Sequence, residues 1–152
     1  MFVYKIGLAL AVILFSASLT STEVDAREVE IECLARNMYY EARGEGTKGM
    51  LAVGHVTMNR VEAKGFPATV CGVVTQKHKK NCQFSWVCMR NLPAIRDEQY
   101  EKIRAMAVMV YDGHLRDITR GATHFHNTQV VPAWSETKRV TAQIGSHIFY
   151  RK

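Results

Sequence analysis

Apolar residues in the first half of the chain recur at a helical spacing, and that spacing supports the first structural expectation. From Glu28 onward, Ile31, Leu34, Ala35, Met38 and Ala42 fall at steps of three and four and so line one side of an α-helix. Gly44 and Gly46 close it. A second helix starts from Thr47, with Met50, Leu51, Gly54, Met58 and Val61 on one stripe, and "KGFP" supplies a glycine cap and a proline stop. The short run "ATVCGVVTQ" fits a helix or a strand. From His78 to Asn91 no period is sustained; the stretch is basic and then aromatic, and it reads as a loop. Asp97 opens the last helix, which turns Ile103, Met106, Ala107 and Val110 inward and has Gly113 near its end. After Gly121 the segments "ATHFHN", "KRVTAQI" and "HIFYR" are β-branched and aromatic with turn residues between them, which suggests short strands. The sum is a mainly helical α+β domain.

The N-terminus stands outside this pattern. "MFVYK" carries a positive charge and precedes the apolar run "IGLALAVILFSASL", which falls short of the roughly 20 residues a comfortable membrane span needs. Polar "TSTEVDA" follows and ends in Val24-Asp25-Ala26, with small or aliphatic residues where a signal peptidase reads. Met1 to Ala26 is therefore expected to be an export signal, with an uncleaved anchor as the alternative; no stable membrane insertion is expected after cleavage. The remainder, residues 27–152, suits one domain, expected as a monomer. Of the chain's 20 Lys and Arg and 14 Asp and Glu, the signal removes Lys5, Glu23 and Asp25, leaving 19 against 12 and a net charge of +7. Such a balance favours anionic partners. Export sets nucleic acid aside and turns attention to the acidic polymers of a bacterial wall.

Four cysteines in an exported chain point to disulfides. Three complete pairings are possible. Cys82 with Cys88 is favoured because it closes a short loop around "QFSWV", which leaves Cys33 with Cys71. No pair has the gap common in structural zinc knuckles.

Glu41, in "MYYEARGE", is the one candidate for acid chemistry with a distinctive setting. It follows Leu34 by seven residues and Met38 by three, so at 100° per residue it projects from nearly the same side as both. Burial disfavours the ionised form, and the negative end of the helix dipole acts in the same direction. Both raise its pKa, and a carboxylic acid that keeps its proton near neutrality is what protonation of a departing sugar oxygen requires. A salt bridge to Arg36, Arg43 or Arg60 is the structural alternative. Glu45, beyond Gly44, competes for the role of acid, but its glycine-bounded turn favours exposure.

Several ordered blocks then narrow the field. "LARNMYYEARGEGTKGMLAVGHVTMNRV", "FPATVCGVVTQ", "CQFSW", "GATHFHN" and "IGSHIFY" resemble the successive blocks of the SleB-like cell-wall hydrolase family, the spore-cortex-lytic type, from about Cys33 to Tyr150. The resemblance implies a fold akin to lytic transglycosylases and goose-type lysozyme, peptidoglycan glycan strands as substrate, and the first glutamate of "EARGE", Glu41, as catalytic acid. It calls for no cofactor. "GM" at Gly49-Met50 and "THFHN" depart from the spore enzymes' pattern, which bears on subsite detail.

Paired-carboxylate hydrolysis needs a second acid across the scissile bond. Asp112, Asp117 and Glu62 read more simply as solvated charges, so a single-glutamate lytic transglycosylase is expected ahead of a muramidase. A pyranose also wants aromatic faces and polar hydrogen-bonding groups. Candidates for substrate contact are Tyr39, Tyr40, Phe84, Trp86, Phe125, Trp134 and Tyr150, with Glu45, Gln83, Ser85, His124 and Asn127 as polar partners. His124 and His126 alternate as in a strand, and with His55 or His147 they offer a zinc-amidase alternative, though no HExxH motif accompanies them. "KHKK" at 77–80 is a candidate contact for anionic wall polymers, or a solvated loop. A non-catalytic wall-binding module is the remaining alternative; an acid placed at depth argues against it.

Overall fold

The computed structural model describes residues 4–95 and 98–152, with side chains from residue 22 onward. The export signal expected over Met1–Ala26 thus lies mostly outside the described side chains, and Asp97, expected to open the last helix, lies outside the described residues. Among these residues no helix is long and apolar enough to cross a membrane.

Helix α1 spans Tyr4–Ala42 and is followed by a 3-10 turn, Arg43–Glu45, and by α2, Gly46–Glu62. The expected stripe of α1 is the heart of the core: Ile31, Leu34, Ala35, Met38 and Ala42 are all buried. Burial of an aliphatic side chain of this size contributes about 1.5–3 kcal/mol. Helix α2 differs from its expected one-sided pattern. Besides Met50 and Gly54 it buries Ala52, Val53, His55, Val56, Thr57 and Arg60, because it is the central element, enclosed by α1, by two further helices and by a sheet. Gly54 permits the close crossing with α1, since a Cβ there would meet Met38 Sδ at 3.0 Å.

The ambiguous run resolves as helix α3, Val70–Thr75. Two carboxyl and hydroxyl oxygens decide it: the Thr69 side chain accepts from Gly72 N at 3.0 Å, and Glu30 of α1 accepts from the backbone N–H groups of Val70 and Cys71. These are unpaired donors of a helix's first turn. Helix α4 covers Glu98–Tyr111 and turns Ile103, Ala107 and Val110 inward.

The segment expected to be a plain loop is more ordered than its sequence suggests. It contains a two-residue hairpin, β1 (Lys77–His78) with β2 (Asn81–Cys82), and a 3-10 turn, Ser85–Cys88. Its aromatic residues explain the order. Phe84 and Trp86, 2% and 8% exposed, are core residues, and the Trp86 indole N–H donates to Asn37 Oδ1 at 3.1 Å. Asn37 in turn donates to Thr57 Oγ1, so Trp86, Asn37 and Thr57 satisfy one another across this segment, α1 and α2.

The C-terminal third forms the expected short strands, β3 (His124–Asn127), β4 (Arg139–Ile144) and β5 (His147–Arg151), in the antiparallel order β3-β5-β4. Phe125 pairs with Phe149 and Asn127 with His147. Phe149 packs with Ala52, Val56 and Ala122, which seats one face of the sheet on α2. The result is a mainly helical α+β fold of the lysozyme-like class.

Both expected disulfides are present, Cys33–Cys71 and Cys82–Cys88. They close loops of very different length, with sequence separations of 38 and 6. On loop entropy alone the first contributes about 4 kcal/mol and the second about 2. Urea titration of paired Cys→Ala variants should therefore show the larger loss of stability for Cys33/Cys71. Equal losses would mean that the two bridges do not act through loop closure.

Candidate functional site

Glu41 is the second-last residue of α1, one turn beyond the buried Met38. Burial pushes its carboxyl up to about 7, and the positive charge of Arg60 draws it partly back. Of the three arginines considered as salt-bridge partners, only Arg60 acts on Glu41 in this way. Among the described residues the Glu41 carboxyl makes no ion pair or hydrogen bond.

Arg60 occupies the last turn of α2 and is 2% exposed. Its Nε donates to the carbonyl of Thr123 at 2.7 Å, just before β3, and its guanidinium lies over the rings of Phe84 and Phe66, 5.1 and 5.4 Å from their centroids. Its Nη1 is buried and unpartnered. Burial lowers its pKa to about 10, with Glu41 acting in the opposite sense, so it remains a cation at neutral pH. In sequence it continues the buried positions Val53 and Val56 at helical spacing. A charge on the apolar stripe was the signal that could have singled it out.

Arg60 also forms part of the wall of a cleft of ≈ 610 Å³. Gln83, His124, Phe125 and Trp134, four of the residues read from the sequence as candidate sugar contacts, line it together with His78, His126, Val130, Pro132 and Lys138. Glu41 does not line this cleft; Arg60 lies within electrostatic reach of the acid and lines the cleft as well. The far wall is a cluster of rings. Trp134 sits 5.4 Å from His124, 5.6 Å from His126 and 5.4 Å from Tyr150, centroid to centroid. Tyr150, buried behind it, stacks on His126 and shares a 2.8 Å hydrogen bond with its Nε2.

The histidines are bound into this wall. His126 Nδ1 lies 2.9 Å from the Asn127 carbonyl, which can only accept, so Nδ1 carries a proton, and Nε2 shares its bond with the Tyr150 hydroxyl. His124 shares a hydrogen bond with Thr123 Oγ1, and burial, followed by Lys138, Arg60 and Lys152, pushes its pKa down to about 4. His147 pairs across from Asn127, so strand alternation puts it on the opposite face from His124 and His126, where it packs on Phe125. His55 is buried on α2. Among the described residues no three His, Cys, Asp or Glu side chains come together as a metal site.

Other predicted contacts are placed in supporting positions. Both oxygens of Glu45 are occupied by Ser146: Oε2 accepts the backbone N–H at 2.8 Å and Oε1 the hydroxyl at 2.5 Å. These bonds hold its pKa below the usual carboxylate value. Gly145, at φ +57, leaves the room this needs, since a Cβ there would collide with Glu45 Oε2. Asn127 donates to the same Ser146 hydroxyl, so Glu45, Ser146 and Asn127 tie the α1–α2 junction to the β4–β5 turn and to β3. Tyr39 is buried and accepts from Arg43 at 2.6 Å, while Tyr40 stacks on Trp86 at 4.7 Å and donates to the Pro93 carbonyl. Ser85 is exposed at the start of its 3-10 turn.

The acids weighed as a second carboxylate have structural partners or face solvent. Asp117 accepts from Thr119, Gly121 and Asn59, Asp112 pairs with Arg27 at 2.6 Å, and Glu62 is exposed.

Comparison with known proteins gives the family of the chain. Residues 44–150 match the family described as Cell Wall Hydrolase, a span that begins just after Glu41 and includes the whole cleft wall. The spore cortex-lytic enzyme of Oceanobacillus iheyensis is 30% identical over 126 residues, covering 79% of this chain and 41% of that protein. Its counterpart in Bacillus cereus is 30% identical over 121 residues, covering 79% and 43%. The chain thus spans about two fifths of the length of these relatives. Among solved structures, the catalytic domain of the Bacillus cereus SleB protein aligns at 28% identity and TM-score 0.64, over 80% of this chain and 89% of that one. The catalytic domain of the germination-specific lytic transglycosylase SleB from Bacillus anthracis aligns at 29% and 0.65, over 80% and 93%. With the family match covering most of the sequence and the same fold in both structures, the chain belongs to the cell wall hydrolase family and is SleB-like.

Proposed function

We propose that this chain is an exported lytic transglycosylase that cleaves the glycosidic bond between N-acetylmuramic acid and N-acetylglucosamine with one acid, Glu41. The observation that carries the reading is a carboxyl lifted to about 7 by burial at the end of α1, under the field of an arginine that itself lines a cleft of rings and polar groups. Half-protonated at neutrality, Glu41 can give its proton to the departing glycosidic oxygen, and the substrate's own acetamido group stabilises the positive sugar centre. The resulting carboxylate then removes the proton of the muramic acid 6-hydroxyl, which closes a 1,6-anhydro ring and restores the acid. Trp134 offers a pyranose face, with Gln83 and His124 as hydrogen-bonding partners. The alternative second carboxylates are all engaged elsewhere or solvated, which favours this route over two-carboxylate hydrolysis.

Digestion of purified sacculi tests the reading directly. Wild-type protein should release anhydro-muropeptides; reducing-end products would identify a muramidase, and no release a binding module. Glu41→Gln should lower release by about 100-fold or more, as expected for loss of a general acid. Glu45→Gln should keep activity and lose about 1 kcal/mol of stability through its weakened bonds to Ser146. Activity lost only in the Glu45 variant would transfer the role of acid.

Dependence on pH follows from the same carboxyl. Release should decline as pH rises through about 7, where Glu41 loses its proton. Because the folded-state pKa lies above the unfolded value, the associated stability is fully present below about pH 4.5 and is lost as pH rises through about 7. Glu41→Gln should consequently be more stable than wild type at pH 8, by on the order of 2–3 kcal/mol, and nearly equal to it at pH 4.5. An equal difference at both pH values would contradict a buried acid.

Arg60 offers a separate check. Its charge lowers the Glu41 pKa, so Arg60→Met should move the alkaline limb of the rate profile upward, by roughly one pH unit. A purely structural arginine would cost stability and leave the limb in place.

A further inference from the structure

A second concavity lies on the sheet and takes no part in the chemistry of Glu41. β4 is an outer strand, and its first residue, Arg139, stands directly across from Arg151 of β5. Like charges in directly opposed positions destabilise a sheet, and a fold gains nothing internal from such a pair. A third guanidinium joins them. Arg120, held in the left-handed region at φ 58, lines a hollow of ≈ 240 Å³ together with Arg139, Val140, Thr141 and Arg151. All three arginines are exposed, no acidic side chain lines the hollow, and none of the three takes part in an ion pair among the described residues.

The hollow continues into a groove. A neighbouring concavity of ≈ 590 Å³ shares Arg120 and Thr141 and runs along β4 to Lys48, over Leu51, Ile118 and Ile144. The two adjoining concavities are thus lined by three arginines and Lys48 together with apolar Leu51, Ile118, Ala142 and Ile144, along the outer strand β4. Planar guanidinium groups present paired N–H donors that match a phosphate, and three around one hollow supply more donors than a carboxylate has lone pairs to accept.

We propose that this arginine hollow and its groove bind the phosphate groups of an anionic phosphodiester polymer of the bacterial wall, holding the enzyme near its glycan substrate. The proposal rests on the reading that the chain works in the wall, but it is scored by binding without turnover, so the two can fail separately.

The test is retention of the purified full chain on immobilised poly(glycerol phosphate), measured against salt. The expected result is retention that weakens steeply as salt rises and falls by about tenfold or more in the Arg139→Gln/Arg151→Gln variant. That variant should melt at or above the wild-type temperature, since it relieves an opposed pair of charges, and should still release fragments from sacculi stripped of phosphodiester polymer. Lys79→Gln/Lys80→Gln, in the exposed β1–β2 hairpin, should change retention by less than about twofold, the loss expected of general charge. Three outcomes overturn the proposal. Equal loss in the lysine variant would reduce it to net charge. Equal retention on a carboxylate polymer of matched charge density would remove the phosphate preference. Tighter retention on phosphatidylglycerol vesicles than on the polymer would assign the site to lipid headgroups.

Discussion

The site depends on keeping two opposite charges near each other without letting them meet. Arg60 is buried and stays cationic because the Thr123 carbonyl and the faces of Phe84 and Phe66 replace part of its lost hydration. Were its guanidinium in hydrogen-bonded contact with Glu41, the pair would hold the carboxyl ionised, below its ordinary value, and no proton would be available at neutrality. Instead the arginine is anchored toward β3 and acts on Glu41 only through its field. Desolvation then outweighs attraction, and the acid settles at about 7. The anchor is thus as important as the charge: the backbone oxygen ahead of β3 fixes how far the cation stands from the acid.

Glu45 shows what the same side chain becomes in different surroundings. One turn further on, it receives two hydrogen bonds from Ser146 and is held as an anion. Its role is to fasten the C-terminal hairpin to the junction of α1 and α2, and Asn127 extends the fastening to β3. The strand that carries His124 and Phe125, two residues of the cleft wall, is therefore positioned in part by Glu45. Two acids four positions apart differ because one is desolvated by burial and the other is met by hydrogen-bond donors.

Much of this was legible in the sequence where local pattern and tertiary packing agree. The stripe of α1, the closing glycines, the strands after Gly121 and both disulfides follow from spacing and composition, and Glu41 was marked by an acid on an apolar face. The central helix was less legible. An element enclosed on all sides has no polar face to set a period, so of the expected stripe Met50 and Gly54 are buried, Leu51, Met58 and Val61 are only half-buried, and most of what α2 buries lay outside it. The segment 78–91 read as loop because its order comes from a disulfide and from Trp86 reaching Asn37, 49 positions away in sequence. Arg60 and the hollow of Arg120, Arg139 and Arg151 were hidden for a related reason: their meaning lies in what surrounds them, and the chain brings those neighbours from distant positions.

The proposed roles of these residues also account for where this fold carries its costs. An acid kept protonated by burial lowers stability above neutral pH, a buried guanidinium retains an unpartnered nitrogen, and two arginines face each other across strands. Each is a local disadvantage of the kind that accumulates at sites rather than in scaffolds. The compensation lies elsewhere, in the dry contact of α1 with α2 and in the Cys33–Cys71 bridge that joins α1 to α3. That bridge adjoins the Glu30 cap of α3 and lies at the opposite end of the described core stripe of α1 from Glu41. Rigidity is thus built in at one end of the helix, and the unfavourable electrostatics of a buried carboxyl lie at the other.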